Sequence, residues 1–201
     1  MPQRRKPSQR RSQERVELIL RSTAEILRTQ GIAAVTTNSI ASQAGIPVSS
    51  IYQYFSDKVS ILAALYQDYL AAIEQLMDEF DTPEKLALSW KQYFTELIRA
   101  IYRQEVHDQI DKELDVGMAL FPELMEIELA HRKKIANRLA KVLQHFGSRW
   151  SVAKLERLSL FYYEINSSVW GYRSQFDPVD DELLEWETAA MLAVVGRCME
   201  S

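Results

Sequence analysis

Between residues 59 and 80 apolar side chains recur every three or four positions: Val59, Leu62, Leu65, Tyr66, Tyr69, Leu70, Ile73, Leu76, Met77 and Phe80. A period near 3.6 sustained over about six turns describes one long amphipathic helix and no strand. The same period returns earlier, at Val16, Ile19, Leu20, Thr23, Ile26 and Leu27, where Gly31 ends the run as a helix cap would. Nowhere does the sequence alternate apolar and polar residues as a half-buried strand does. Six Gly and six Pro in 201 residues are too few for a turn-rich β fold, and 47% apolar residues suffice to bury a core. The fold class expected is all-α, with about nine helices.

Further helices follow from caps and breaks. Thr36-Thr37 precedes a short helix ending at Ala44, Gly45-Ile46-Pro47 interrupts it, and residues 49–55 form a second short piece. Ser56-Asp57 caps the long helix. Thr82-Pro83-Glu84 opens a helix running to about Arg103, with proline at its first position. Residues 105–120 form a weaker acidic helix containing Gly117, residues 121–147 another, and the last two run over 151–175 and 180–199. Residues 1–13 have two prolines and no apolar period, so they are expected to be a mobile basic arm carrying Arg4, Arg5, Lys6, Arg10 and Arg11. The division expected is an arm over 1–13, a first helical domain over 14–60 and a second over 61–201.

The net charge of −4 conceals an asymmetry. Residues 1–60 hold nine Lys/Arg and four Asp/Glu, a net of +5, whereas residues 61–201 hold 15 and 24, a net of −9. A basic first third and an acidic remainder suit two surfaces with different tasks, the first facing a polyanion. Five of the nine cations lie in the arm, which either tracks a minor groove or only solubilises the chain; the sequence leaves both open. The single Cys198 excludes an intramolecular disulfide and suits a reducing compartment. The longest apolar run near the end, residues 189–195, is far short of a membrane span. The basic start leads into Ser12-Gln13-Glu14-Arg15 rather than an apolar signal region. A cytoplasmic protein without a membrane partner is expected.

Residues 37–54 carry the chemistry. Two short helices joined by a tight glycine-containing turn form a helix-turn-helix. Ile40, Ala41, Ala44, Ile46, Ile51 and Phe55 supply its apolar faces, and Gly45 permits a left-handed backbone in the turn. The second helix then presents Ser49, Ser50, Gln53 and Tyr54 to a major groove. Tyr52 and Tyr54 are two apart and cannot share one helix face, so at least one points outward.

In this stretch the chain resembles the tetracycline-repressor-like family of bacterial transcriptional regulators. The matching residues are Gly31, Thr36, Thr37, Ile40, Ala41, Ala44-Gly45-Ile46, Ser50-Ile51-Tyr52, Tyr54-Phe55, Lys58 and Leu62, spaced without a gap over roughly residues 14–65. Two positions depart from the family pattern: Pro47 stands where serine is common and Tyr54 where histidine is common. The resemblance implies that Thr37 offers its hydroxyl and helix-end N–H groups to a phosphate, that Tyr52 and Tyr54 donate to phosphates, and that Lys58 makes an ionic phosphate contact. Base edges then fall to Val48, Ser49, Ser50 and Gln53, with Asn38 a further candidate. Gln53 suits adenine and Val48 a thymine methyl. The recognition helix has no Arg or Lys, which shifts weight from guanine readout to DNA shape.

The resemblance also implies a C-terminal domain that dimerises through its last two helices and binds a small inducer. One stripe of the first of these helices holds Leu155, Leu158, Tyr162, Ile165, Val169 and Tyr172; the last helix is apolar around much of its circumference, with Leu183, Leu184, Trp186, Ala190 and Leu192 to Val195. Candidates for lining a pocket are Trp90, Phe94, Tyr102, Met118, Phe121, Met125, Tyr163, Asn166 and Trp170, a mixture that equally describes an ordinary core. The function expected is a dimeric, ligand-responsive regulator, most simply a repressor, that binds a palindromic double-stranded operator and leaves it on binding a partly hydrophobic inducer. No cofactor, catalytic residue or metal ligand is assigned. Two rivals remain. Glu128-x-x-His131 with Glu126 has the spacing of half a di-iron carboxylate site, but such a bundle enzyme needs two motifs and one is present. A helical interaction protein leaves the Thr36–Lys58 spacing without a reason.

Overall fold

The computed structural model describes residues 7–107, 110–173 and 181–199. They form ten α-helices and one 3-10 turn, with no strand among the described residues, so the chain is all-α as its periodicity requires. The helices are α1 (Pro7–Gln30), α2 (Thr37–Ala44), α3 (Val48–Ile51), α4 (Lys58–Phe80), α5 (Pro83–Leu86), α6 (Trp90–His107), α7 (Asp111–Leu120), α8 (Pro122–His145), α9 (Val152–Arg173) and α10 (Asp181–Met199); the 3-10 turn is Ile32–Ala34.

Several boundaries differ from the sequence expectation, among them the end of α6 at His107 and the start of α7 at Asp111, where a break near 103–105 is expected. α1 starts at Pro7, so residues 7–13 of the expected arm are helical. Pro7 sits in the first turn, where its missing N–H has no helical partner to lose, and Arg10 pairs with Glu14 one turn on at 3.2 Å. Arg4, Arg5 and Lys6 lie outside the described residues, as does Asp180, the expected start of α10. The single helix expected from Thr82 is two. Thr82 caps only the one-turn α5, and a new N-terminus forms at Ser89: the Gln92 amide donates to Ser89 Oγ at 3.3 Å while the Ser89 amide donates to Gln92 Oε1 at 3.2 Å. This reciprocal pair is a capping box, and it stops one helix and starts the next. α3 is a single turn. Beyond it, Ile51 O accepts from both Tyr54 N–H (2.9 Å) and Phe55 N–H (3.0 Å), which tightens the coil through residues expected to be helical.

By internal contacts the chain divides into two units, one of residues 1–69 and 109–127, the other of residues 70–108 and 128–201. In the first, α1 packs on α2 and on the 3-10 turn, α2 on α3, and α7 on the 3-10 turn. Its inward residues include Ile19, Ile26, Leu27, Val35, Ile40, Ile51, Ile61 and Leu62, each almost wholly buried. In the second, α10 packs on α9 and α6. The core there gathers Met77, Phe80, Tyr93, Phe94, Leu97, Ile98, Leu139, Leu143, Leu155, Tyr162, Met191 and Val195. Tyr93 meets Phe80 edge-on at 5.6 Å between centroids and Phe146 at 5.2 Å, arrangements that satisfy the ring quadrupoles. No described helix is long and apolar enough to cross a membrane.

Candidate nucleic-acid interface

The entry into α2 is fixed by a closed set of hydrogen bonds. Thr36 is the N-cap: its Oγ1 accepts from the Ser39 amide at 3.0 Å and its own amide donates to Ser39 Oγ at 2.9 Å. Ser39 Oγ in turn donates to the carbonyl of Ala34 at 2.7 Å, which ties α2 to the 3-10 turn before it. α2 ends at Gly45, whose φ of 63° and ψ of 36° place it in the left-handed region. Only glycine enters that region without strain from a Cβ. The Ile46 amide then closes back on Ala41 O at 3.0 Å, and Pro47 leads directly into α3.

This turn sets α3 beside the start of α2. The hydroxyl oxygens of Thr37 and Tyr52 lie 3.2 Å apart, although the residues are 15 positions apart in sequence. Tyr52 is 55% exposed, far more than a packed tyrosine. Asn38, Ser49 and Gln53 are exposed and Thr37, Val48, Ser50 and Tyr54 half-buried, while Ile40, Ala41 and Ile51 point inward. α4 then opens on Asp57, whose Oδ1 accepts from the Ser60 amide at 2.8 Å. That backbone hydrogen bond, assisted by the Ser56 and Ser60 hydroxyls, holds the Asp57 carboxyl below its ordinary pKa. Lys58 follows as the first residue of α4, its ammonium 5.5 Å from the centroid of the Phe121 ring.

Residues 19–65 match the family model of bacterial regulatory proteins of the tetR family. The chain carries a tetR-family DNA-binding domain. Across the rest of its length the likeness to known proteins is one of fold. A TetR-family transcriptional regulator from Streptomyces coelicolor is 20% identical, with a TM-score of 0.68 over 92% of this chain and 99% of that one. A TetR transcription regulator from Haloarcula marismortui is 18% identical, with a TM-score of 0.70 over 92% and 98%. The multidrug binding protein EbrR, crystallised with imidazole, is 15% identical, with a TM-score of 0.66 over 90% and 94%. The chain shares its fold with these proteins.

Of the residues expected at DNA, the tetR-family domain brings Thr37 and Tyr52 into contact and leaves Asn38, Ser49 and Gln53 open to solvent. The residues expected to line a pocket come from both units. Met118, Phe121 and Met125 belong to the first unit: Met118 Sδ accepts from Tyr66 OH at 3.4 Å, Phe121 lies against Lys58, and Met125 is 37% exposed. Trp90, Phe94, Tyr102, Tyr163 and Asn166 belong to the second unit, where Phe94 is part of the core. The side chain of Trp170 lies outside the described residues.

The second unit has a cleft of about 590 Å³ between α6 and α10, and of the expected pocket residues whose side chains are described only Tyr102 lines it. Its walls include Arg99 and Arg103 on α6, Asp181, Glu185 and Thr188 on α10, and the apolar Leu184 and Leu192. Arg99 and Arg103 are one turn apart, as are Asp181 and Glu185, a spacing visible in the sequence but meaningful only once the two helices are paired. Glu128 and His131 are buried on α8. Glu128 Oε1 accepts from Arg132 Nε at 2.6 Å and from Tyr163 OH at 3.1 Å, and His131 Nδ1 lies 3.5 Å from Glu74 Oε1. Among the described residues no three His, Cys, Asp or Glu side chains gather to hold a metal ion.

Proposed function

We propose that this chain is a dimeric, ligand-responsive repressor that acts in the cytoplasm on a palindromic operator. The observation that carries the reading is the exposed junction of Thr37 with Tyr52 at 3.2 Å. A glycine turn sets the start of one helix and the outer face of the next on one surface. In this reading the N-terminus of α2 and the Thr37 hydroxyl take a phosphate, Tyr52 and Tyr54 donate to neighbouring phosphates, and Lys58 adds a charge. Val48, Ser49, Ser50, Gln53 and Asn38 meet base edges in the major groove.

Dimerisation through α9 and α10 is supported by large apolar side chains left in solvent. Phe161 on α9 is 55% exposed and Trp186 on α10 is 61% exposed, with Ala190 and Ala193 exposed on the same face as Trp186. An apolar face of this kind marks an interaction surface, and a two-fold axis there would present two recognition helices to two half-sites. Ligand response is supported by the α6–α10 cleft, which is large enough for a small organic molecule. One protein of similar fold is a multidrug binding protein. The inducer remains a small, partly hydrophobic molecule.

The test is a genome-wide pull-down of DNA fragments by the purified full-length protein at moderate salt, repeated with Tyr52→Phe plus Lys58→Ala. One palindromic sequence enriched by the wild type and lost in the double variant is the expected result. Equal recovery of all fragments would remove the operator from this reading, and no recovery at any salt would remove DNA binding altogether.

A further inference from the structure

Glu113 on α7 reaches across 81 positions of sequence, and its Oε2 accepts the Ile32 amide hydrogen at 2.6 Å. That amide opens the 3-10 turn, where the first donors have no partner within the turn itself. Ile32 is 7% exposed, so water is a poor substitute acceptor, and a buried N–H left unpaired is costly. The turn leads on to the DNA-binding surface by one further bond, from Ser39 Oγ to the Ala34 carbonyl at 2.7 Å, and Ser39 completes the cap at Thr36. The start of α2 is therefore bound to the 3-10 turn, and the 3-10 turn to Glu113.

Two glycines record the same close approach. A Cβ on Gly31 would lie 3.1 Å from Glu113 Oε2, at a φ of +76° that L residues rarely adopt. A Cβ on Gly117, one turn further along α7, would lie 2.9 Å from Ile32 Cδ1 and 3.1 Å from Leu124 Cδ2. Ile32 is thus held from two sides by α7, through its amide and through its side chain.

We propose that Glu113 is a positioning residue for DNA binding. By accepting the Ile32 amide it fixes the turn from which the N-terminus of α2 is hung, and so sets how well Thr36 and Thr37 meet a phosphate. The residue lies far outside the 19–65 stretch that matches the family. The inference rests on the proposed DNA-binding reading, and the experiment separates the two.

Full-length wild type, Glu113→Ala, Glu113→Gln, Glu113→Asp and Lys58→Ala are titrated against a mixed-sequence duplex of about four helical turns at low salt, where phosphate contacts dominate binding. In parallel, hydrogen exchange is followed at isoleucine amides labelled with nitrogen-15. Glu113→Ala is expected to weaken binding about tenfold, or ~1.4 kcal/mol, and to speed exchange at Ile32 while Ile98, in the other unit, keeps the wild-type rate. Glu113→Gln retains an acceptor of equal reach and is expected to recover affinity to within about threefold of wild type. Glu113→Asp keeps the charge but is one methylene short; it should resemble Ala, and it carries the test if the Ala variant does not fold. Faster exchange at Ile32 with wild-type affinity would overturn the proposal, and so would a Gln variant as weak as Ala. If the wild type does not bind, or Lys58→Ala binds as well as the wild type, the DNA-binding reading fails instead.

Discussion

Alanine substitutions at Gly31 and Gly45 should have unequal costs, and the difference follows from their surroundings. Both residues have positive φ, but they occupy different regions. Gly45 is left-handed helical, and nothing lies within 4 Å of where its Cβ would be. Its alanine variant incurs the left-handed strain of about 1–2 kcal/mol, offset by roughly 0.5 kcal/mol of lost freedom in the unfolded chain. The net is a destabilisation of about 1 kcal/mol. Gly31, at φ 76° and ψ 171°, lies in a region that is essentially glycine's alone, where strain runs to about 1–3 kcal/mol. Its new Cβ would also meet Glu113 Oε2 at 3.1 Å. If that displaces the carboxylate from the Ile32 amide, a charge-assisted hydrogen bond of about 1.5–3 kcal/mol is forfeited as well. Gly31→Ala should therefore cost about 3 kcal/mol or more. Urea unfolding of Gly31→Ala, Gly45→Ala, Glu113→Ala and the Gly31/Glu113 double variant measures both quantities. The double variant should be less destabilised than the sum of its parts, since the hydrogen bond can be lost only once. Equal costs at the two glycines, or strict additivity of Gly31 with Glu113, would refute the reasoning.

Two further outcomes follow from the second unit. Replacing Phe161 and Trp186 together by Glu puts charge on the exposed faces of α9 and α10; if the proposed dimer forms there, light scattering should report a dimer for the wild type and monomers for the variant, with operator affinity reduced, and an unchanged mass would place the dimer contact elsewhere. Burial pushes the His131 imidazole below its ordinary pKa, against the opposing pull of Glu128 and Glu74 and with the help of Lys134. The unfolded chain therefore takes up a proton at about pH 6.5 that the folded chain does not. Stability is full above that pH and falls as pH drops towards the lowered value. The unfolding midpoint of the wild type should decline between pH 7.5 and 5.5 more steeply than that of His131→Gln, and a parallel decline would contradict the assignment.

What the sequence made legible was local. The Thr36–Lys58 stretch foretold the cap at Thr36 and the left-handed Gly45, because each depends on residues a few positions away; of Tyr52 and Tyr54 it required only that at least one face outward, and the structure exposes Tyr52 and half-buries Tyr54. The Ser89-x-x-Gln92 box was equally readable and marks the break before α6, but the apolar period running across it concealed the signal. Pairings between distant segments were not readable. Helical periodicity tells which face is buried and not what covers it. Phe121 and Met118 had the size and polarity of pocket residues, and nothing local told that they pack beside Lys58 and Tyr66 in the first unit. Gly117 stood out only as a weak point in an acidic helix, and its reason is the Ile32 side chain 85 positions earlier. The Arg99–Arg103 and Asp181–Glu185 pairs likewise gain meaning only from the packing of α6 on α10.

The central claim, that the surface around Thr37, Tyr52 and Lys58 meets the phosphate backbone, is tested most directly by the salt dependence of binding to the recovered operator. Each phosphate neutralised contributes about 0.9 to the slope of log affinity against log salt. A dimer carrying Lys58→Ala loses two such contacts, so its slope should be shallower than the wild-type slope by about 1.8. Tyr52→Phe removes a hydrogen bond and no charge; it should lower affinity and leave the slope unchanged. A Lys58→Ala slope equal to that of the wild type would contradict the account.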